Sequence, residues 1–192
     1  MNKEIQLESK LETSRLILLA GEQVFSYKET IKDEMLNSVN TLKDWVAFFN
    51  YQFDEYKVTE FLNKSTDPQY NKEYFRYFIF EKDTMQFVGS VVLQDIDLRL
   101  PSCEIGYWAV NSGLGKGYIT EAIQYITQHV IENHGFVRIE AYIDVKNIRS
   151  INTIERCGYE REGTLKNSDL SADQQNIINE ALYAITTPVY FK

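Results

Sequence analysis

The sequence predicts a mixed α/β fold, one domain in which helices flank a single central sheet. Three observations predict it. Ile105 to Val110 is an apolar run rich in aromatic and β-branched residues, as a buried strand should be, and Asn111, Ser112 and Gly113 break it. After Gly115-Lys116-Gly117, the residues Ile119, Ala122, Ile123, Ile126 and Val130 recur at spacings of three and four, which gives a helix one apolar face. Phe136 to Ile143 then reads as a second strand. The helix is therefore a crossover, and the strands it joins should be parallel and connected right-handedly. At 192 residues the chain is long enough for one substantial core and too short for two comfortable domains, so residues 1–192 are read as a single unit.

Taken in order, Met1 to Lys10 is polar and reads as a loosely held arm. Arg15 to Leu19 is a first strand that Gly21 ends. From Glu22 to Phe49 the pattern is helical, with a break near Asn37 to Asn40. Trp45, Phe48 and Phe49, with Tyr51 and Phe53 just after them, form an aromatic group suited to core packing. Asp54 to Asn63 should be helical, followed by a polar loop at Ser65-Thr66-Asp67-Pro68. Tyr74 to Phe80 and Phe87 to Leu93 are strands that the Asp83-Thr84 turn joins into a hairpin. Ile96 to Pro101 is a connection, since Pro101 is excluded from a strand interior. Asn147 should N-cap another helix, and Gly158 should end it in a left-handed conformation. Tyr159 to Leu165 is strand-like, Asn167 to Asn176 reads as a mobile hairpin loop, and Glu180 to Tyr190 is the last strand.

Composition narrows the function. The apolar fraction of 44% and charged fraction of 25% are those of an ordinary globular protein. No stretch approaches a membrane span, and the N-terminus lacks an apolar signal core, so the expected compartment is the cytoplasm. A net charge of −8 argues against a nucleic-acid footprint and favours encounter with cationic amines. Cys103 and Cys157 show neither metal spacing nor a bridge framework and read as buried reduced thiols. His129 and His134 read as helix-end or surface residues with no further ligands beside them, so no metal site is expected.

The strand, the glycine turn and the helix N-terminus together make an anion site. Glycines let the backbone approach, the first helical amides are unpaired donors, and the helix dipole favours negative charge. Phosphate is the expected anion. A dinucleotide fingerprint would need a small residue where Thr120 stands, and a Walker loop would need Ser or Thr after Lys116, where Gly117 stands. A Gly-x-Gly is also compatible with an ordinary tight turn.

The stretch CEIGYWAV-NSGLGKGYITEA resembles the acetyl-CoA-binding core of the GNAT superfamily of N-acetyltransferases. FVRIEAYIDVKNIRSINTIERCGYEREG and the early ETSRLILL resemble its RimJ/RimL branch. The likeness is strongest from Phe87 to Gly163. It implies a GNAT-like domain with a central, mostly antiparallel twisted sheet around a parallel βαβ core, and acetyl-CoA as co-substrate. It implies an amine acceptor, either the N-terminus of a ribosomal or other protein or a small polyamine or aminoglycoside-like molecule, and a monomer or homodimer. A non-catalytic acyl-CoA-binding module is the alternative of a different class. Ser112 departs from the Gln or Arg usual three residues before the loop's first glycine, which implies weaker binding through that position.

The resemblance also assigns roles. Glu104 matches a general-base position. From Glu104 to Val110 the strand spans ~20 Å, the reach of a pantetheine arm. A carboxylate beside an apolar cleft can have its pKa raised to a useful value; the other reading is a strand-end ion pair. Backbone groups of Trp108, Ala109 and Val110 would meet pantetheine as an added strand does, with Val110 the expected amide for the thioester oxygen. Ser112, Gly113, Gly115, Gly117 and Tyr118 would offer amides to pyrophosphate, with Lys116 as a nearby point charge. Glu121 suits the helix dipole and matches a position that orders the loop. Asn147 is both an N-cap and a possible CoA contact. Ser150 matches a position that protonates the thiolate, although a serine is a hydrogen-bond donor before it is an acid. Tyr142 and Tyr183 compete for that role. The aromatics from Trp45 to Phe53 would wall the acceptor pocket.

Overall fold

The computed structural model describes residues 7–49, 52–67 and 74–187. Eight strands form one sheet: β1 (Lys10–Glu12), β2 (Leu16–Leu19), β3 (Tyr74–Glu81), β4 (Phe87–Asp97), β5 (Ser102–Ala109), β6 (Arg138–Asp144), β7 (Glu160–Leu170) and β8 (Ile177–Thr186). Their order is β1-β2-β3-β4-β5-β6-β8-β7, and every neighbouring pair is antiparallel except β5 and β6. The helices are α1 (Lys28–Asn37), α2 (Val39–Leu42), α3 (Glu55–Thr66), α4 (Tyr118–His134) and α5 (Ile148–Arg156). The expected mostly antiparallel sheet with a parallel βαβ unit is the one observed. Among the described residues no helix is long and apolar enough to cross a membrane.

Both sheet faces are covered, so two cores form. Ile119, Ala122, Ile123, Ile126 and Val130 of α4 pack with Ile154 of α5 on Val91, Ile105, Ile139, Ala141 and Ile143. On the other face Ile31 and Met35 of α1, Leu42 of α2, and Val58 and Leu62 of α3 pack with Phe78, Phe80, Phe87 and Trp108. This is why β3 and β4 read as nearly continuous apolar runs, whereas β6 alternates: its neighbour on the α1–α3 side is an open cleft.

Local signals set the element ends. Asp54 caps α3, its carboxylate accepting from Lys57 N–H at 3.0 Å, and Asn147 caps α5, accepting from Ser150 N–H at 3.1 Å. Gly135 (φ 72°) ends α4, letting Phe136 N–H return to the Val130 carbonyl at 3.2 Å. Gly158 (φ 90°) follows α5 as expected.

Three expectations change. Of the arm, residues 1–6 lie outside the described residues, but Leu7 is buried, the Glu8 carbonyl accepts from the Tyr77 hydroxyl, and Lys10 enters β1. The free edge of β2 supplies the missing partners. The loop expected over Asn167 to Asn176 shrinks to residues 171–176, because β7 runs on to Leu170 past an irregularity where Asn167 is left-handed (φ 53°). Ser65 and Thr66, placed in a loop by their polarity, are buried in the last turn of α3, where Thr66 donates to the Leu62 carbonyl. Tyr51, Pro68 and Val189 to Tyr190 lie outside the described residues.

Gly89 is paired with Ala109 where β4 meets the end of β5; a Cβ there would meet the Trp108 carbonyl oxygen at 2.3 Å. Gly89→Ala is expected to destabilise the fold by about 2–3 kcal/mol, read as a lower urea midpoint at unchanged m-value.

Candidate active site

The site begins where hydrogen bonding stops. β5 and β6 pair only through Ser102–Arg138, Cys103–Ile139 and Glu104–Glu140. Beyond that point β5 continues to Ala109 and β6 to Asp144 without pairing, so the sheet forks. The Val110 amide donates to Val88 of β4 (3.2 Å), and the Pro101 carbonyl accepts from Val137 ahead of β6 (2.7 Å). With antiparallel alternation, even positions of β5 therefore bond to β4, while Tyr107 and Ala109 turn their amides and carbonyls into the fork. This corrects the place assigned to Val110: its amide is occupied and its side chain fully buried, and Tyr107 and Ala109 offer the free donors.

A cleft of ≈ 2080 Å³ passes through the fork. Glu104, Trp108, Ala109, Gly113, Gly115, Gly117, Tyr118, Asn147 and Ser150 all line it. Val110, Ser112 and Lys116 do not. Ser112 turns its hydroxyl to the Phe87 carbonyl (3.1 Å), and the exposed Lys116 ammonium lies 5.5 Å from the Tyr118 ring centroid, beside the loop.

The glycine turn is shaped by close contacts and left-handed backbone. Gly113 lies against β4, where a Cβ would be 2.3 Å from the Val88 carbonyl oxygen. Gly115 (φ 73°) and Gly117 (φ 76°) are left-handed, and Gly117 occupies the N-cap of α4 without any side chain capping the helix. The first amides of α4 are thus left for an anion. Two sets of side chains hold the turn. Asn111 donates its backbone N–H to Ser38 Oγ (2.9 Å) and its Nδ2 to the Asn37 carbonyl (2.7 Å), and its Oδ1 accepts from the Thr41 hydroxyl (2.7 Å). Glu121 accepts from Ser14 (3.1 Å), from the Arg15 amide (3.1 Å) and from Arg15 Nε (2.6 Å), and Arg15 also donates to the Lys116 carbonyl (3.0 Å). Burial raises the Glu121 pKa, but the hydrogen bonds from Thr13 and Arg15 outweigh it and hold the carboxyl below its usual value.

Glu104 sits at the crotch of the fork, half-buried, on the face opposite α4. Its Oε1 accepts from Gln94 Nε2 at 2.9 Å. Burial pushes its pKa up to about 7; the Asp95 carboxylate adds to the rise and the Gln94 amide opposes it. Asp95 is left-handed (φ 50°) at an irregularity between Gln94 and Asp97, which turns it out beside Glu104. Glu180, whose pKa burial also raises, and Asp144 continue this carboxylate-rich wall, with Asp169 across from them. No cation pairs with Glu104, so the strand-end ion-pair reading fails among the described residues.

On the α4–α5 side, Ser150 Oγ donates to the Tyr107 hydroxyl (2.8 Å), which donates to the Ser150 carbonyl (2.9 Å). Burial raises the Tyr107 pKa, so this phenol stays protonated. Tyr142 lines the cleft and donates to Glu140 (2.9 Å), with its pKa pushed up to about 12 by burial first. Tyr183 is buried, donates to Glu155 (2.8 Å) and does not line the cleft. Cys103 and Cys157 are buried free thiols, each pushed up to about 12 by burial. Trp45, exposed, and Phe48 wall the cleft, whereas Phe49 and Trp108 meet edge-on in the core (5.2 Å, 81°). Gln94, Asp95, Tyr107 and Glu180 were missed in the sequence. Folding a hairpin back about residues 99–100 would have set Gln94 opposite Glu104; nothing local marks Glu180.

Residues 29–160, more than half of the chain, match the family described as the acetyltransferase (GNAT) domain. The chain is 30% identical over 91 residues to an uncharacterized N-acetyltransferase p20 of Bacillus licheniformis, covering 47% of this chain and 51% of that protein. It is 30% identical over 108 residues to the ribosomal-protein-serine acetyltransferase of Escherichia coli K12, covering 56% and 58%. The alignments thus span between half and three fifths of these curated relatives. Among solved structures, the microcin C7 self-immunity acetyltransferase MccE, in complex with acetyl-CoA and AMP, superposes with a TM-score of 0.81 at 22% identity, over 91% of this chain and 94% of that one. RimL, the ribosomal L7/L12 α-N-protein acetyltransferase in complex with coenzyme A, gives 0.78 at 18% over 91% and 95%. At such identities the superpositions speak for the fold, and the matched domain carries the assignment: this chain belongs to the GNAT acetyltransferase family.

Proposed function

We propose that the protein transfers an acetyl group from acetyl-CoA to a primary amine by direct attack within a ternary complex. The observation that carries this reading is the fork. It presents strand-edge donors at Tyr107 and Ala109, an anion-binding turn at one end, and an uncompensated carboxylate at its base. Pantetheine would complete β5 as an added strand. The Gly113 amide, expected among the donors, is bonded to the Val110 carbonyl (3.0 Å) and only lets the turn lie close to β4; the pyrophosphate would take the amides of Gly115, Gly117 and Tyr118 with Lys116 nearby, and Asn147 and Ser150 would flank the arm on α5.

Chemistry follows from the two faces. Glu104 removes a proton from the acceptor's ammonium, a task for which a base near neutral pKa is suited. The amine attacks the thioester carbon, and the Ala109 or Tyr107 amide stabilises the developing oxyanion. The departing sulfur receives a hydrogen bond from the Ser150–Tyr107 pair. Protonated, buried Cys103 and Cys157 leave no thiol for an acyl-enzyme. Glu104, Asp95, Glu180 and Asp169 make the acceptor side anionic, which favours a cationic amine. The ribosomal-protein-serine acetyltransferase of Escherichia coli and RimL, a ribosomal L7/L12 α-N-protein acetyltransferase, favour a protein N-terminus as that amine. The anionic wall equally suits a small polyamine. Free buried thiols accord with a cytoplasmic enzyme.

Glu104→Gln should lower kcat by about 10²–10⁴-fold while acetyl-CoA binding by calorimetry stays within a factor of about two. The wild-type kcat/KM profile should rise with pH through an apparent pKa near 7, and that limb should vanish in the variant. Unchanged turnover would remove Glu104 from the mechanism, and intact binding without turnover toward any amine would favour the non-catalytic module. Because ionised Glu104 is disfavoured by the fold, its raised pKa contributes stability that is present below its unfolded value and lost as pH rises through about 7. Glu104→Gln should accordingly melt higher than wild type at pH 8 and lose that advantage at pH 5. Arg15→Ala should weaken acetyl-CoA binding roughly tenfold by freeing Glu121 and the loop, with kcat at saturation little changed.

A further inference from the structure

The N-terminal segment and the far end of α4 meet in a cluster that the acetyl-transfer site does not use. Glu8 Oε2 lies 2.7 Å from His129 Nε2 and 3.4 Å from His134 Nε2, and the three ligand atoms all lie within 4.8 Å of one another. Neither histidine is a loose surface residue: their side chains are 12% and 15% exposed. The sequence reading left them without companions because Glu8 is 121 and 126 residues away in the chain.

We propose that Glu8, His129 and His134 form a zinc site that staples the N-terminal segment to the C-terminal turn of α4. Two imidazoles and a carboxylate are a borderline donor set that suits Zn²⁺, whereas Mg²⁺ and Ca²⁺ require oxygen ligands throughout. Tetrahedral zinc with bonds of about 2.0–2.2 Å sets its ligand atoms about 3.3 Å apart. The 3.4 Å separation already meets this, and a shift of a few tenths of an ångström at the exposed Glu8 side chain opens the 2.7 Å one.

The cluster is held as a preorganised site would be. The His129 ring lies parallel to Tyr125 (centroids 6.1 Å apart, 9° between planes). Its Nδ1 is 3.0 Å from Asn133 Nδ2; turning the Asn133 amide over puts Oδ1 in that place, where it accepts the Nδ1 proton and leaves Nε2 free to bind metal. The two histidine rings are inclined at 58° with centroids 5.2 Å apart, so they do not stack, and both turn Nε2 to the same Glu8 oxygen. The backbone on each side is fixed: the Glu8 carbonyl accepts from Tyr77 and that of Ser9 from the Ala20 amide (2.8 Å), while Gly135 locks the turn after His134. Three protein ligands leave a fourth position for water. None of the three lines the cleft, so the metal would be structural to the fold and separate from acyl transfer.

The test is calorimetric titration of EDTA-stripped, desalted full-length protein with ZnCl₂, with MgCl₂ as the contrast and a melting curve with and without zinc. One zinc per chain, no heat from magnesium and a zinc-dependent rise in Tm are expected. His129→Gln and His134→Gln should each weaken binding at least tenfold and cancel the rise in Tm. Glu8→Gln, at an exposed side chain that the fold does not need, should do the same and covers a histidine variant that misfolds. Absence of saturable zinc binding below about 100 µM would reduce the cluster to a histidine–carboxylate clamp. Binding that survives all three substitutions would assign the zinc to the cleft carboxylates instead; either result overturns the proposal.

Discussion

The interaction on which the structure depends is one that is missing. A parallel pair of central strands normally bonds along its whole length, because buried amides and carbonyls without partners are costly. Here β5 and β6 pair over three residues and then part. Tyr107 and Ala109 are left with backbone groups that water or a ligand must satisfy. The separation is maintained from both sides: β4 holds β5 along its other edge, and β8 holds β6 from Arg138 to Asp144. The fork is therefore rigid because its outer edges are fully bonded. A groove of this kind is selective for an extended ligand with its own amides, as any ladder edge is.

The same geometry sorts charge. The side of the fork facing α4 and α5 carries the glycine turn, the N-termini of two helices, Lys146, Arg149 and Arg156, whereas the opposite side carries Asp95, Glu104, Glu180 and Asp169. In the proposed reaction, an anionic ligand and a cationic one would be drawn to opposite mouths of one cleft and would meet at Glu104. Its raised pKa has the same origin, since the carboxylate sits among apolar strand residues and other acids with no cation among the described residues to compensate it. The net charge of −8 understates this polarity, because it averages over both mouths.

What the sequence made legible was whatever had a local cause. The Ile105–Val110 run, the left-handed glycines and the three-and-four spacing along α4 are each written within a few residues, and they placed the strand, turn and helix correctly. The cap Asn147 was legible for the same reason. What was not legible depended on partners remote in the chain. Residues 7–10 look like a polar arm until β2 and Tyr77 are seen to bind them. Val110 was assigned a free amide because strand phase relative to β4 is a matter of register, which no single strand encodes. Tyr107 was read only as one residue of the buried Ile105–Val110 strand, and α5 packing against it makes it the partner of Ser150. The likeness to a known family located Glu104; the Gln94–Asp95 irregularity that sets its electrostatics has no sequence signature of its own.

The bond network around Glu121 bears on how this chain acquires its ligand site. Thr13, Ser14 and Arg15 reach Glu121 across 106 to 108 residues, and Arg15 also holds the Lys116 carbonyl. The glycine turn is thus finished only when the segment between β1 and β2 and the fourth helix are both docked, a closure of high sequence separation, which is the slow kind to form. A chain without residues 13–15 would have the glycines and the helix but not the cradle. Bound cofactor would then reward only the completed domain, shifting the equilibrium by mass action without serving as a template for the steps that lead to it.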